Sequence, residues 1–292
     1  MPYLWVIFAL ISAFTLATSD ALTKKALKDS NEYLAAWFRL FFSLPLLLAI
    51  LFFIPVPQLD KEFFRAFFIA LPVEIITIIL YIKALKVSPM SLTLPFLALT
   101  PVFLIFISYF IVGEKVSFWG GTGIFLIAAG SYILNISEIK KGLFEPFKAI
   151  TKEKGSVFMI CVALLYSFTA SFGKKAIEHS SPLFFAVTYF MALTVFFAPI
   201  AFWMARNDLK NFIREKQFRG LFLPGIFYAV MASSHMLAMK LTKVAYMISV
   251  KRLSLIIGIM YGYFLFKEEN IRERLLGAIL MFIGFVMIVT AA

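Results

Sequence analysis

Residues 97–130 read LALTPVFLIFISYFIVGEKVSFWGGTGIFLIAAG, and residues 251–284 read KRLSLIIGIMYGYFLFKEENIRERLLGAILMFIG. The second stretch aligns with the first at an offset of 154 positions without a gap. In that register Tyr109 falls on Tyr263, Phe110 on Phe264, Glu114 on Glu268, Gly123 on Gly277 and Gly130 on Gly284. Just upstream, Ala84 falls on Ala238 and Lys86 on Lys240. Apolar coincidences carry little weight in so apolar a chain. The matched Lys, Glu and glycines carry more, because they hold one register from position 86 to position 130. Each stretch is an apolar run, a charged break and a second apolar run, and the chain contains this unit twice.

The rest of the chain has the same character. It is 292 residues long, 62% hydrophobic and only 15% charged, with a mean hydropathy of +0.93. A soluble domain is roughly 45–50% apolar and about 25% charged, so a water-soluble enzyme is excluded. An aromatic content of 17% excludes a disordered chain. A membrane helix needs about 20 apolar residues. Ten such segments are predicted, at 3–22, 33–54, 64–84, 89–112, 117–136, 155–175, 182–204, 219–239, 244–266 and 271–290. Barrel strands would alternate over about ten residues, whereas these runs are continuous, so they are helices. Pro45, Pro72, Pro95, Pro101, Pro199 and Pro224 fall inside them and are expected to act as kinks. No cleavable signal peptide is expected at the start, where the first apolar run has membrane length.

The opening segments of the halves also match loosely, Lys24-Lys25-Ala26 resembling Lys174-Lys175-Ala176. The expected organisation is a first five-helix repeat over 1–136, a connecting loop over 137–154 and a second repeat over 155–292. Five helices per half is an odd number, so the second half enters the membrane from the opposite face. The fold class is an all-α integral membrane protein with two inverted repeats. Secondary transporters have this form, with the substrate site between the halves near the midplane.

The net charge of +12 is read as topology, not as nucleic-acid binding. Loops after odd-numbered segments hold 18 Lys and Arg, against 7 in loops after even-numbered segments. The positive-inside rule then places the odd loops in the cytoplasm and both termini outside, in the cytoplasmic membrane. The single Cys161 and the two histidines, His179 and His235, leave no metal site or cofactor to expect. No phosphate-binding loop, Asp-x-x-Asp pair or His-rich cluster speaks for an ATP-driven pump or a membrane enzyme. The expected partners are a small-molecule substrate and the lipid bilayer, with a homodimer allowed for.

Ionisable groups inside membrane helices are costly and are functional candidates by default. Here they are Arg39, Glu74, Lys251 and Arg252, with His235, Asp20 and Lys83 nearer the ends. Lys251 and Arg252 fall on Leu97 and Ala98 in the repeat register, so the pair is an asymmetric addition to the scaffold. Arg offers a planar fork and Lys a point charge, both suited to phosphate or carboxylate. Ser254, Gly258 and Tyr261 follow Lys251 at steps of three and four, extending a stripe along a continuous helix. Glu74 is the expected counter-ion of this pair or a proton-coupling carboxylate. His235 falls on Tyr81, and both are candidates for contact with substrate. Tyr228, Tyr246 and Trp37 are further lining candidates. Glu114 and Glu268 are expected to anchor helix ends, pairing with the neighbouring Lys115 or Lys267.

The run Thr100-Pro101-Val102-Phe103, then Gly113-Glu114, then Gly123 and Gly130, resembles the EamA-type drug/metabolite transporters. Lys267-Glu268, Gly277 and Gly284 form a weaker second copy, and Arg39 resembles that family's Arg in the second helix. The resemblance covers nearly the whole chain and implies a secondary transporter of small metabolites. Ser249-Val250-Lys251-Arg252 is similar to the Lys-Arg pair in the ninth helix of plastid phosphate translocators, where the two cations hold the substrate's phosphate. Residues 87–113 lack the further basic contact that those proteins carry in the fourth helix. The function expected is therefore transport of a small polar, anionic metabolite. Export of neutral or cationic amino acids and flipping of a lipid precursor are the alternatives.

Overall fold

The computed structural model describes residues 3–26, 31–87, 94–134, 154–266 and 271–292. Every regular element among them is helical. In chain order these are α1 (Leu4–Ala26), α2 (Glu32–Ile50) and α3 (Lys61–Val87). Then come α4 (a 3₁₀ turn Leu94–Leu99 continuing as Thr100–Ile111), α5 (Phe118–Leu134), α6 (Lys154–Glu178) and α7 (Pro182–Met204). A short helix, Leu209–Arg214, and a 3₁₀ turn, Gln217–Leu221, lead into α8 (Phe222–Leu241). α9 comes in two pieces, Val244–Lys251 and Ser254–Phe266, and α10 is Ile271–Ala291. Seven of these, α1–α3 and α6–α9, are long and apolar enough to cross a membrane; α4, α5 and the Leu276–Ala291 part of α10 are shorter apolar stretches. The predicted connecting loop lies outside the described residues, apart from Lys154.

Local chemistry explains where the helices start. Asn31 accepts the Tyr33 N–H, Asp60 the Phe63 N–H and Ser181 the Phe184 N–H, each meeting an otherwise orphaned donor of a first turn. Pro182 follows Ser181 at the first helical position, where no N–H is needed. Pro45, Pro72 and Pro199 lie within α2, α3 and α7. Pro101 and Pro224 instead sit in the first turns of α4 and α8, and Pro95 in the 3₁₀ turn, so these three begin helical segments where kinks were expected.

The two halves are inverted, and the glycines of the repeat show it. A Cβ added at Gly123 of α5 would meet the Gly284 carbonyl oxygen of α10 at 2.7 Å, and one added at Gly130 would meet that of Gly277 at 2.6 Å. The lower number in one helix faces the higher in the other. Two helices equivalent in the repeat therefore run antiparallel, as an axis perpendicular to them requires. Close approach of backbones is what small residues permit in membrane helices. The same symmetry relates the α1–α8 contact to the α3–α6 contact, while α2 packs on its own image, α7.

α9 is not the continuous helix expected. It stops at Lys251, turns through Arg252 and Leu253, and restarts at Ser254. Its image has the same interruption: the 3₁₀ turn of α4 ends at Leu99 and the helix starts at Thr100, the position that Ser254 matches in the 154-residue register. The stripe reasoned from Lys251 through Ser254 to Tyr261 crosses this turn at its first step, where the Leu253 N–H bonds the Val250 carbonyl in a tightened turn.

Candidate functional site

The two adjacent cations of α9 reach different helices. Lys251 ends the first piece, with Nζ 3.3 Å from Met231 Sδ and 3.2 Å from His235 Nδ1, both on α8. Arg252 lies in the turn and donates from Nη2 to Thr100 Oγ1 of α4 at 3.0 Å. Its Nε is enclosed with no hydrogen-bond partner among the described residues. Ser254 is buried at the start of the second piece, and the Tyr261 hydroxyl is 2.9 Å from Thr18 Oγ1 of α1. The site thus joins α4, α8 and α9, with Tyr261 tied back to α1.

Glu74 makes no ion pair with either cation. Its carboxyl interacts with the Thr169 hydroxyl of α6, and Lys251 acts on it only as a more distant charge. Its action on Lys251 is that of a charge at a distance. The carboxylate of Asp20 is also committed: Arg39 Nη1 donates to it at 2.7 Å, and the Arg39 guanidinium lies 4.4 Å from the centroid of the Tyr228 ring. Tyr81 lies within the electrostatic reach of Asp20, Arg39 and Arg252. Glu74, Tyr81, Tyr228, His235, Lys251, Arg252 and Tyr261 are all half-buried within the helical bundle. Accessibility increases towards the odd-loop face, where the Asp20 side chain is 57% exposed and Arg39 21%.

The even-loop face is closed by contacts between the halves. Lys174 of α6 is 7% exposed and donates to the carbonyls of Met239 at 2.6 Å and Thr242 at 3.1 Å, meeting the negative end of α8. Glu114 accepts the Val244 N–H at 2.8 Å, meeting the positive start of α9. Lys174 and Glu114 are themselves 3.8 Å apart. Gly113 makes this reach available: at φ +82 it ends α4 in the left-handed region and turns the chain back. So Glu114 pairs across to α6 and α9, not with Lys115 as expected; Lys267 and Glu268 lie outside the described residues. Lys175 Nζ to Glu62 and His179 Nδ1 to Asp60, each 2.7 Å, complete the seam. A hollow of about 300 Å³ on this face, lined by Glu114, Lys174, Lys240 and Tyr246 among others, includes no member of the Lys251 cluster.

Two aromatic candidates do not join the site. Tyr246 is fully buried and its hydroxyl is 3.1 Å from Ser117 Oγ, within the closed face. Trp37 donates to the Thr194 carbonyl at 2.9 Å and packs against Phe38, Phe41 and Phe202. Conversely, the partner roles of Thr100, Met231 and Thr169 were not anticipated. For Thr100 a signal existed in its match to Ser254, visible only once the break is known.

An apolar helical protein with two inverted halves, broken helices meeting at an interior polar cluster and one closed face belongs structurally with the repeat-built membrane transporters. The sequence profile of the EamA-like transporter family matches residues 3–136 and 153–290. The chain belongs to the EamA-like transporter family, a multi-pass membrane transporter of the drug/metabolite superfamily. A solved crystal structure shares the fold, with TM-score 0.72 over 97% of this chain and 96% of its own at 12% identity. Among curated protein sequences none matches.

Proposed function

We propose that this chain is a secondary active transporter that moves a small polar, anionic metabolite across the cytoplasmic membrane by alternating access. The observation carrying this reading is the unpaired state of the α9 cations: Lys251 contacts a thioether and an imidazole, Arg252 a hydroxyl. A buried charge without a counter-charge is expensive, and a phosphate or carboxylate entering the cluster supplies it. The similarity of Ser249–Arg252 to the ninth helix of plastid phosphate translocators supports the same ligand class. On this reading α4, α5 and α10 also cross the membrane, giving ten spans, and the site is approached from the odd-loop, cytoplasmic side.

Uptake of radiolabelled phosphate- and carboxylate-bearing metabolites into proteoliposomes tests the proposal, with lipid flipping and amino-acid efflux followed in the same vesicles. Lys251→Ala and Arg252→Ala are expected to fold and to lose anion binding, each by about 2–5 kcal/mol. Unchanged affinity in both would sink the anionic reading. Flipping or amino-acid efflux without anion uptake would move the chain to one of those classes.

A further inference from the structure

We propose that Lys251 and His235 together form a proton-binding site that couples anion binding to proton uptake, so that an anion and a proton move together. The inference rests on the anionic reading above and adds a second transported species. Lys251 Nζ is 3.2 Å from His235 Nδ1, so two basic groups are in hydrogen-bond contact in the interior. Lys251's other contact is the uncharged Met231 sulfur at 3.3 Å.

The charged groups that act on Lys251 are Arg252 beside it on α9, Asp20 on α1, Glu74 on α3 and Arg39 on α2, while Tyr166 on α6 acts on Arg252. Neither carboxylate neutralises the pair by contact, since Asp20 holds Arg39 and Glu74 interacts with Thr169. Two positive charges at this separation repel strongly, with the permanent guanidinium charge of Arg252 adjacent. The pair therefore holds one proton fewer than its full complement, the ammonium donating to a neutral imidazole or the reverse. Lys251 and His235 fall on Leu97 and Tyr81 of the first half, so both basic groups belong to the second half alone and meet only through the fold.

An anion beside Arg252 changes the balance. Its negative charge offsets the repulsion, so the neutral nitrogen of the pair takes a proton from solvent. When the anion leaves, that proton is released. Both side chains are half-buried, and the proton enters and leaves through the same opening as the anion. A monoanion then travels as an electroneutral unit.

The test uses the full chain in detergent, with sulfate as an oxyanion that does not itself titrate near neutrality. Calorimetric titrations in two buffers of different ionisation heat count the protons. The expected result is about one proton taken up per sulfate bound, with affinity falling about tenfold per pH unit as pH rises through the pair's titration. In His235→Gln, whose amide still accepts from Lys251, uptake is expected to vanish and affinity to become independent of pH. Lys251→Arg is the second test of the pair, and His235→Asn replaces the Gln variant if that fails to fold. Sulfate binding to the unaltered chain without proton uptake overturns the proposal. So does uptake that persists in His235→Gln but disappears in Glu74→Gln. No sulfate binding at any pH overturns the anionic reading, and the coupling falls with it.

Discussion

Lys251 and Arg252 are sequence neighbours whose side chains serve different helices, and the hydroxyl of Thr100 is what holds the second. Thr100→Val keeps the volume and removes the acceptor of the Arg252 Nη2 hydrogen bond. A hydrogen bond to a charged group is worth about 1.5–3 kcal/mol, so anion affinity is expected to fall at least about tenfold. Binding measured by ligand-induced thermal stabilisation checks this, and an unaltered affinity would remove Thr100 from the site. At the even-loop face, Asp60 carries a pH effect. Its carboxyl is held below the usual carboxylate range, chiefly by the Phe63 N–H it caps and then by the His179 hydrogen bond. A depressed acid stabilises above its unfolded value and loses that contribution as pH falls through its lowered one. The melting temperature should therefore drop on acidification through that range, and less so in Asp60→Asn, which still caps α3.

At the level of elements, the α5–α10 crossing is the least forgiving contact. A Cβ at Gly123 would meet the backbone oxygen of Gly284, and one at Gly284 that of Gly123 at 2.6 Å. Backbone cannot yield as a side-chain tip can, so Gly123→Ala and Gly284→Ala should each cost about 1–3 kcal/mol, as overpacking does. Gly258→Ala is the control, since nothing lies within 4 Å of its added Cβ. Equal melting temperatures for all three variants in detergent would contradict this account of the crossing. Gly113 differs in kind: open space surrounds it, and its constraint is the left-handed φ that returns Glu114 to the start of α9.

For the whole molecule, the seam at the even-loop face holds the halves in their present relation. Lys174 meets the end of α8 and Glu114 the start of α9, so both bind the 242–244 turn that must move if this face is to open. Lys174→Met removes the cation and its bonds to two carbonyls. In a Cys161→Ser background, a cysteine at Ser249, fully buried beneath the turn, should then become more reactive to a water-soluble thiol reagent. No gain in reactivity would show that Lys174 is not what closes this face. In the same background a cysteine at Asn211, on an odd loop, should be protected from an impermeant reagent in intact cells. Labelling there would reverse the orientation inferred from the loop charges.

The sequence by itself determined the membrane character, the helical class, the repeat and the candidate ionisable residues, because each follows from composition, run length or register. Gly123, Gly130, Gly277 and Gly284 were legible as matched positions of the repeat for the same reason. What they pack against was not, since a repeat in one dimension does not state which copy faces which. Only the tertiary structure decided that α9 is interrupted at Arg252 and that Lys251 and Arg252 there find partners on two other helices, since neither a proline nor a glycine marks the spot. Only it decided that His235 touches Lys251 and that Glu74 does not. The separation of residues 235 and 251 along the chain carries no information about a 3.2 Å contact, which exists because α8 and the first piece of α9 fold back on each other through the turn that Lys174 and Glu114 hold.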